Sequence, residues 1–356
     1  MKDSSLYKTV SILLIILLAF ALLFFGKDFL IPVAVASILA MLFLPLCKKL
    51  ESKGFSNGWA AFCCVILFLI IVGALSALIT WQVTNFTADS ANMKQRFHEM
   101  LNSVLQYLKV SPEDQQKATD NLKGAFAAAL GSALSFLTDF ILILVYVYLF
   151  LYFRAHINKF FMMIVPASKR AEAQKVIDQS GEVAEKYLTG YGKTIIMLWI
   201  LYGIGFSVLG VKNAILLAVI CGILELVPFL GNVFGVGLTM LMAVSQGGGA
   251  GLAVWAAGVY IVVQFFQTYL LEPIFVGESV SLNPIFTIMS LIILEMVWGV
   301  PGIILAVPLF GILKIVFDHI EPLKPLGFLL GEEKNKKESW ITKLLPFGKK
   351  KKAKTA

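Results

Sequence analysis

The stretch NGWAAFCCVILFLIIVGALSALITW, Asn57 to Trp81, runs for 25 residues without a charged side chain. A hydrocarbon core about 30 Å thick is crossed by roughly 20 helical residues, so this block is long enough to span one. In lipid no water is available to the backbone, and a single open segment satisfies all its N–H and C=O groups only as a helix. Working outward, Phe29 to Cys47 and Thr9 to Gly26 are also free of charge, as is Thr194 to Val211, and Ala133 to Phe153 carries only Asp139. The whole chain is 58% hydrophobic and 15% charged, with a mean hydropathy of +0.84. Soluble domains carry about 25% charged residues, so water is excluded as the solvent for most of this surface. The expected fold class is an all-α integral membrane protein with about eight membrane segments.

The charges outside these blocks orient them. Lys48, Lys49 and Lys53 make the connector after the second block short and basic, which places it and the N-terminus in the cytoplasm by the positive-inside rule. The first block follows Lys2 and Lys8 and has the look of a signal-peptide core, but no small-residue cleavage site follows it, so it is read as a retained helix. The chain divides into helices one to three (1–82), an external amphipathic helical segment (83–132), helix four (133–153), a cytoplasmic amphipathic segment (154–193), a C-terminal transport region (194–320) and a basic cytoplasmic tail (321–356). In the external segment Met93, Phe97, Met100, Leu101, Val104, Leu105 and Leu108 recur at three- and four-residue steps among charges, the pattern of an amphipathic helix. The net charge of +8 gathers in the tail, at Lys334, Lys336, Lys337, Lys343, Lys349 to Lys352 and Lys354. Behind a membrane helix such a tail contacts anionic lipid rather than nucleic acid, each charge near the surface contributing on the order of 1 kcal/mol.

Enzyme chemistry has no foothold. Cys47, Cys63, Cys64 and Cys221 lie in or beside apolar blocks without a CxxC spacing and read as packing residues, and His98, His156 and His319 are scattered. No Walker motif, HExxH or nucleophilic set is present, and Gly247, Gly248, Gly249 and Gly251 lack the Lys and Ser or Thr of a phosphate loop. No cofactor is expected, and ATP bound to this chain does not drive it.

The C-terminal half has a different texture. Glu225, Glu272, Glu278 and Glu295 are embedded in apolar sequence, and a carboxylate at bilayer depth costs a few kcal/mol unless protein, water or solute compensates it. Glu225 stands directly before Pro228 and Gly231, which interrupt helical hydrogen bonding and leave backbone groups free to face a cavity. Glu295 stands before Pro301 and Gly302 in the same manner. Gln264 and Gln267, three apart, share a helix face and lead to Glu272 and Pro273. These nine residues, Glu225, Pro228, Gly231, Gln264, Gln267, Glu272, Glu295, Pro301 and Gly302, are the candidate solute or ion pathway. Each has a plainer reading beside it: Glu225 paired with Lys193 or Lys212 at an interface, the two glutamines as interhelical glue, Glu272 as an interfacial cap, and Glu295 paired with Lys314.

Parity between the inner-face Lys193 and Lys314 permits two arrangements of this half. Either six helices all span, or Asn213 to Gln246 and Ser279 to Leu313 form re-entrant hairpins from opposite sides, giving two helix-plus-hairpin units of inverted orientation, a recurring transporter design. The second is preferred, because a glutamate precedes each proposed tip.

The order of these parts resembles the autoinducer-2 exporter family over essentially the whole chain. The carrying residues are Glu225, Pro228 and Gly231, then Gln264 to Pro273 followed by Gly277, Leu282 and Pro284, and last Gly299, Pro301, Gly302, Pro308 and Gly311. The resemblance implies a bacterial inner-membrane secondary transporter, with some members linked to export of the furanone-type signal autoinducer-2 and others proposed as sodium or lithium/proton antiporters. It also implies a homo-oligomer. A membrane scaffold or sensor acting through the amphipathic segments is the reading from another class.

Overall fold

A computed structural model describes residues 2–88, 139–227, 230–244, 246, 249–276 and 280–332. Most of the external segment, Pro228, Gly277, Glu278 and the lysines of the tail from Lys334 onward lie outside the described residues. The helices are α1 (Lys2–Phe25), α2 (Lys27–Glu51), α3 (Asn57–Ala88), α4 (Asp139–Tyr152), α5 (Arg154–Ile164), α6 (Arg170–Val208), α7 (Ala214–Leu224), α8 (Leu230–Ala243) and α9 (Gly249–Phe266). After α9 the chain widens into a π-helical stretch, Gln267–Val276, and ends in α10 (Pro284–Trp298), α11 (Val300–His319) and the short α12 (Lys324–Leu330). Among the described residues the only extended pairing is one bridge between Leu282 and Gly331.

Among the described residues five helices are long and apolar enough to cross a membrane: α2, α3, α6, α9 with its π extension, and α11. They become six if α4 and α5, bent by 67° at Phe153, form one span. The expected eight is not reached by length, because α7, α8 and α10 have 11, 14 and 15 residues. At 1.5 Å per residue they extend about 16 to 22 Å, short of a hydrocarbon core of about 30 Å. Each short helix packs on a neighbour, α7 with α8 and α10 with α11.

Two cores hold this arrangement, with a seam between them. Ala36, Ala40, Phe43 and Cys47 of α2 pack on Ala60, Ala61 and Cys64 of α3 and on Val147 and Leu151 of α4. Leu198, Tyr202 and Phe206 of α6 pack with Leu217, Ala218 and Cys221 of α7, Ala256 and Tyr260 of α9, and Leu271 of the π stretch. The seam is Ile38 of α2 against Val297, Trp298 and Leu305 of α10 and α11, with the Trp298 indole donating to the Leu23 carbonyl of α1 at 3.0 Å. The N-terminal helices thus form one body against which the C-terminal half is seated.

A charged clasp closes the first body. Arg154, immediately after the bend, donates both to Glu51 Oε1 at 2.6 Å and to Oε2 at 2.5 Å, and reaches Cys47 Sγ at 3.3 Å. Both side chains are about a quarter exposed. Replacing Arg154 with Met should destabilise the protein by an amount between the roughly 1 kcal/mol of an exposed pair and the roughly 3–5 kcal/mol of a buried one, because Glu51 is left facing a thiol. Thermal unfolding in detergent, with Glu51→Gln in the same background restoring part of the loss, measures it.

Candidate functional site

α7 begins after a left-handed turn, Gly210 at φ 72° and Asn213 at φ 55°, that Gln246 pins from the far end of α8. Its side chain accepts from Lys212 N at 2.6 Å and donates to Lys212 O at 3.3 Å. The helix then runs for three turns and stops at Glu225, where the ladder tightens into three-residue bonds, Leu226 N to Ile223 O and Val227 N to Leu224 O, both 3.0 Å. The Tyr191 hydroxyl of α6 donates to the Glu225 carbonyl at this point. α8 restarts at Leu230 so close to α7 that a Cβ on Gly231 would overlap the Leu224 carbonyl oxygen.

The Glu225 side chain turns inward, and the residue is 4% exposed. Oε1 accepts from the Tyr260 hydroxyl at 2.8 Å and from Gln264 Nε2 at 2.5 Å, and Oε2 accepts from Gln267 Nε2 at 3.3 Å. Asn232 adds a fourth donor: with its amide nitrogen facing the cage it lies 2.7 Å from Oε1 and 3.2 Å from Oε2, whereas the opposite orientation would set its oxygen against the carboxylate. Gln264 Nε2 also donates to the Tyr202 hydroxyl at 2.9 Å, and Gln267 Nε2 reaches Glu272 Oε1 at 3.2 Å. Tyr202 stacks on Tyr260 at 4.9 Å between ring centroids. Among the described residues, neither Glu225 nor Glu272 forms an ion pair with Lys, Arg or His.

Five of the nine candidates from the sequence meet here: Glu225, Gly231, Gln264, Gln267 and Glu272. Lys193 and Lys212 do not pair with Glu225; its partners are neutral. The two glutamines do share a face, and both point to Glu225 instead of to each other. Glu295, Pro301 and Gly302 do not join the cage. Glu295 is exposed on α10, and Lys314, its partner in the plainer reading, pairs with Asp318 at 2.6 Å. Pro301 and Gly302 form the first turn of α11, where a Cβ on Gly302 would overlap the Leu294 carbonyl oxygen.

That contact exposes a repeat. Setting α7 on α10 at an offset of 70 residues superimposes Asn213 on Asn283, Ile215 on Ile285, Ile223-Leu224-Glu225 on Ile293-Leu294-Glu295, and Val227 on Val297. In both copies the carbonyl of the Leu before the Glu abuts a glycine of the next helix. The copies differ in what faces the carboxylate.

Tyr260, Tyr202, Tyr191 and Asn232 were missed from sequence. Tyr260 carried a signal, since it precedes Gln264 by four residues and lies on the same face, and Gly235 supplies the room for its ring, a Cβ there falling 2.7 Å from Tyr260 Cζ. A groove between Asn57, Trp59, Tyr148 and Tyr152 lies among the N-terminal helices and has no carboxylate in its lining.

The sequence profile of the AI-2E family transporter matches residues 12–321. The chain belongs to the AI-2E family. YueF of Bacillus subtilis is 25% identical to it over 87% of this chain and 90% of its own length, and PerM of Escherichia coli K12 is 25% identical over 87% and 92%. YrrI, also of B. subtilis, is 23% identical over 82% and 87%. These relatives carry names that provisionally describe a transport protein, a permease and a transport protein. The AI-2E chain is thus a multi-pass membrane protein of a transporter family, which fits a role other than catalysis.

Proposed function

We propose that this chain is a bacterial inner-membrane secondary transporter that exports a small polar solute such as autoinducer-2 by alternating access. The observation that carries the reading is the buried Glu225 carboxylate at a helix break, held by Tyr260, Gln264 and Gln267 with no Lys, Arg or His paired to it among the described residues. An ordinary anchor helix has no use for such a group, and its removal from water is costly. In this reading α7–α8 and α10–α11 are re-entrant hairpins of inverted orientation that move against the body built by α2, α3 and α4, with both termini in the cytoplasm. The short lengths of α7, α8 and α10 and the 70-residue repeat support it. The chain assembles as a homo-oligomer, and its basic tail lies on anionic lipid.

Hydroxyls of a polar solute can exchange for the amide and phenol donors around Glu225 without leaving a buried group unpaired. Na⁺/H⁺ or Li⁺/H⁺ antiport is the alternative cargo, and sodium-dependent proton movement in vesicles would reveal it. Glu225→Gln in proteoliposomes loaded with autoinducer-2 should lower efflux on the order of tenfold, the weight of one charge-assisted hydrogen-bonded group, while the protein still folds. Unchanged efflux would remove Glu225 from the mechanism, whereas no efflux from the unaltered protein with any solute or ion would favour a scaffold or sensor.

A further inference from the structure

The hydrogen-bond inventory around Glu225 does not balance at one atom. Gln267 is 5% exposed, and among the described residues its Oε1 has no partner. Its Nε2 is divided between Glu225 Oε2 at 3.3 Å and Glu272 Oε1 at 3.2 Å, two long bonds from one amide group to two acids. A buried amide oxygen left unpaired is costly, and the two carboxylates facing one amide, with no Lys, Arg or His beside them among the described residues, add to that cost.

Glu225 offers little room for a proton. A carboxylate presents about four lone-pair sites, and Tyr260, Gln264, Gln267 and Asn232 all aim donors at it. Glu272 is different. Among the described residues its carboxylate accepts only the Gln267 amide. Protonated on one oxygen, Glu272 becomes a donor, and the atom in want of one is Gln267 Oε1 beside it.

We infer that Glu272 is the proton-binding carboxyl of this site and that Gln267 is the positioning residue that passes its state to Glu225, an inference that rests on the transport reading only for its purpose. On protonation one O–H bond forms on Glu272 with a proton drawn from water, and that O–H donates to Gln267 Oε1. Gln267 Nε2 is then released to Glu225 alone. On deprotonation the proton returns to water and the amide is again shared by the two acids.

The backbone is shaped for this exchange. Glu272 lies in the π-helical stretch, whose widened turns are frequent at functional sites, and Pro273 after it brings no N–H. Gly190 of α6 lets the Phe275 carbonyl approach so closely that any Cβ there would collide with it, which seats the π stretch on α6. The titratable groups facing the pair are Tyr187, Tyr191 and Tyr202 from α6, Cys221 from α7 with Glu225 itself at its end, and Tyr260 from α9. A metal cation fits this cage poorly, since a hard ion needs several oxygens and the groups around Glu225 turn N–H and O–H toward it. Among the described residues no three or more His, Cys, Asp or Glu side chains gather as a metal site.

The test is infrared difference spectroscopy of the full-length chain in lipid nanodiscs across a pH series, with no solute present. The expected result is a carbonyl band of a protonated carboxyl that bleaches as pH rises, is absent in Glu272→Gln, and persists in Glu225→Gln. Glu272→Asp, which keeps a carboxyl, should retain the band with a shifted midpoint, and Gln267→Leu should retain it while moving the midpoint. A band that survives Glu272→Gln, one lost in Glu225→Gln, or no band at any pH overturns the inference. Efflux of autoinducer-2 is a separate measurement: efflux without the band leaves transport standing and removes the proton from Glu272, and the band without efflux does the reverse.

Discussion

Gly302→Ala is expected to lower the unfolding temperature of the detergent-solubilised protein sharply, and Gly231→Ala to do the same. An added methyl would overlap the Leu294 carbonyl oxygen in the first case and the Leu224 carbonyl oxygen in the second. Overpacking costs about 1–3 kcal/mol when side chains can shift, and more is expected here because the obstacle is backbone. Relief requires α10 to part from α11, or α7 from α8. Gly237 of α8 and Gly258 of α9 are the controls, since nothing lies within 4 Å of a Cβ at either. Alanine there should leave stability unchanged or raise it by about 0.5–1 kcal/mol, the helix-propensity gain over glycine. If all four substitutions behave alike, the two close approaches do not hold the hairpins together.

Glu225→Leu should be far more damaging to folding than Glu225→Gln, although leucine is the residue a lipid environment prefers. Leucine removes the acceptor these donors share, leaving the Tyr260 hydroxyl only the Gly231 carbonyl at 3.2 Å and the Gln264 and Gln267 amides only Tyr202 and Glu272, and each lost bond to the buried carboxylate costs about 1–3 kcal/mol. Glutamine keeps one oxygen to accept from Tyr260, and the Asn232 and Gln267 amides can rotate to meet its nitrogen. Monodispersity on gel filtration and a thermal melt separate the two variants. Equal stability would show that the donors find other partners and that the cage is not a structural unit.

The sequence was informative where one variable decided the outcome. Charge-free length located α2, α3 and the C-terminal part of α6, and helical spacing put Gln264 and Gln267 on one face. It could not reveal what that face looks at. Glu225 and Glu295 share the motif Ile-Leu-Glu, yet one is buried among neutral donors and the other is exposed, because the helices packed against α7 and α10 differ. Tyr260 in an apolar helix reads as core, and it is core; only the approach of Glu225 turns its hydroxyl into a ligand. The end of α7 was legible to within a few residues, since Pro228 and Gly231 mark a break in the apolar run from Asn213, and the helix stops at Leu224 just before it.

α6 is an unbroken rod of 39 residues, about 58 Å from Arg170 to Val208, nearly twice the hydrocarbon thickness. Gly190 and Tyr191, which hold the π stretch and the Glu225 carbonyl, sit at its midpoint. A tilt of about 10° around that point would sweep each end through about 5 Å, simple geometry for a helix of this length. The site therefore has a built-in indicator needle: a spectroscopic label near Arg170 should register rearrangement at Tyr191 with the movement magnified, and a binder clamped on that end should arrest it from outside the bilayer.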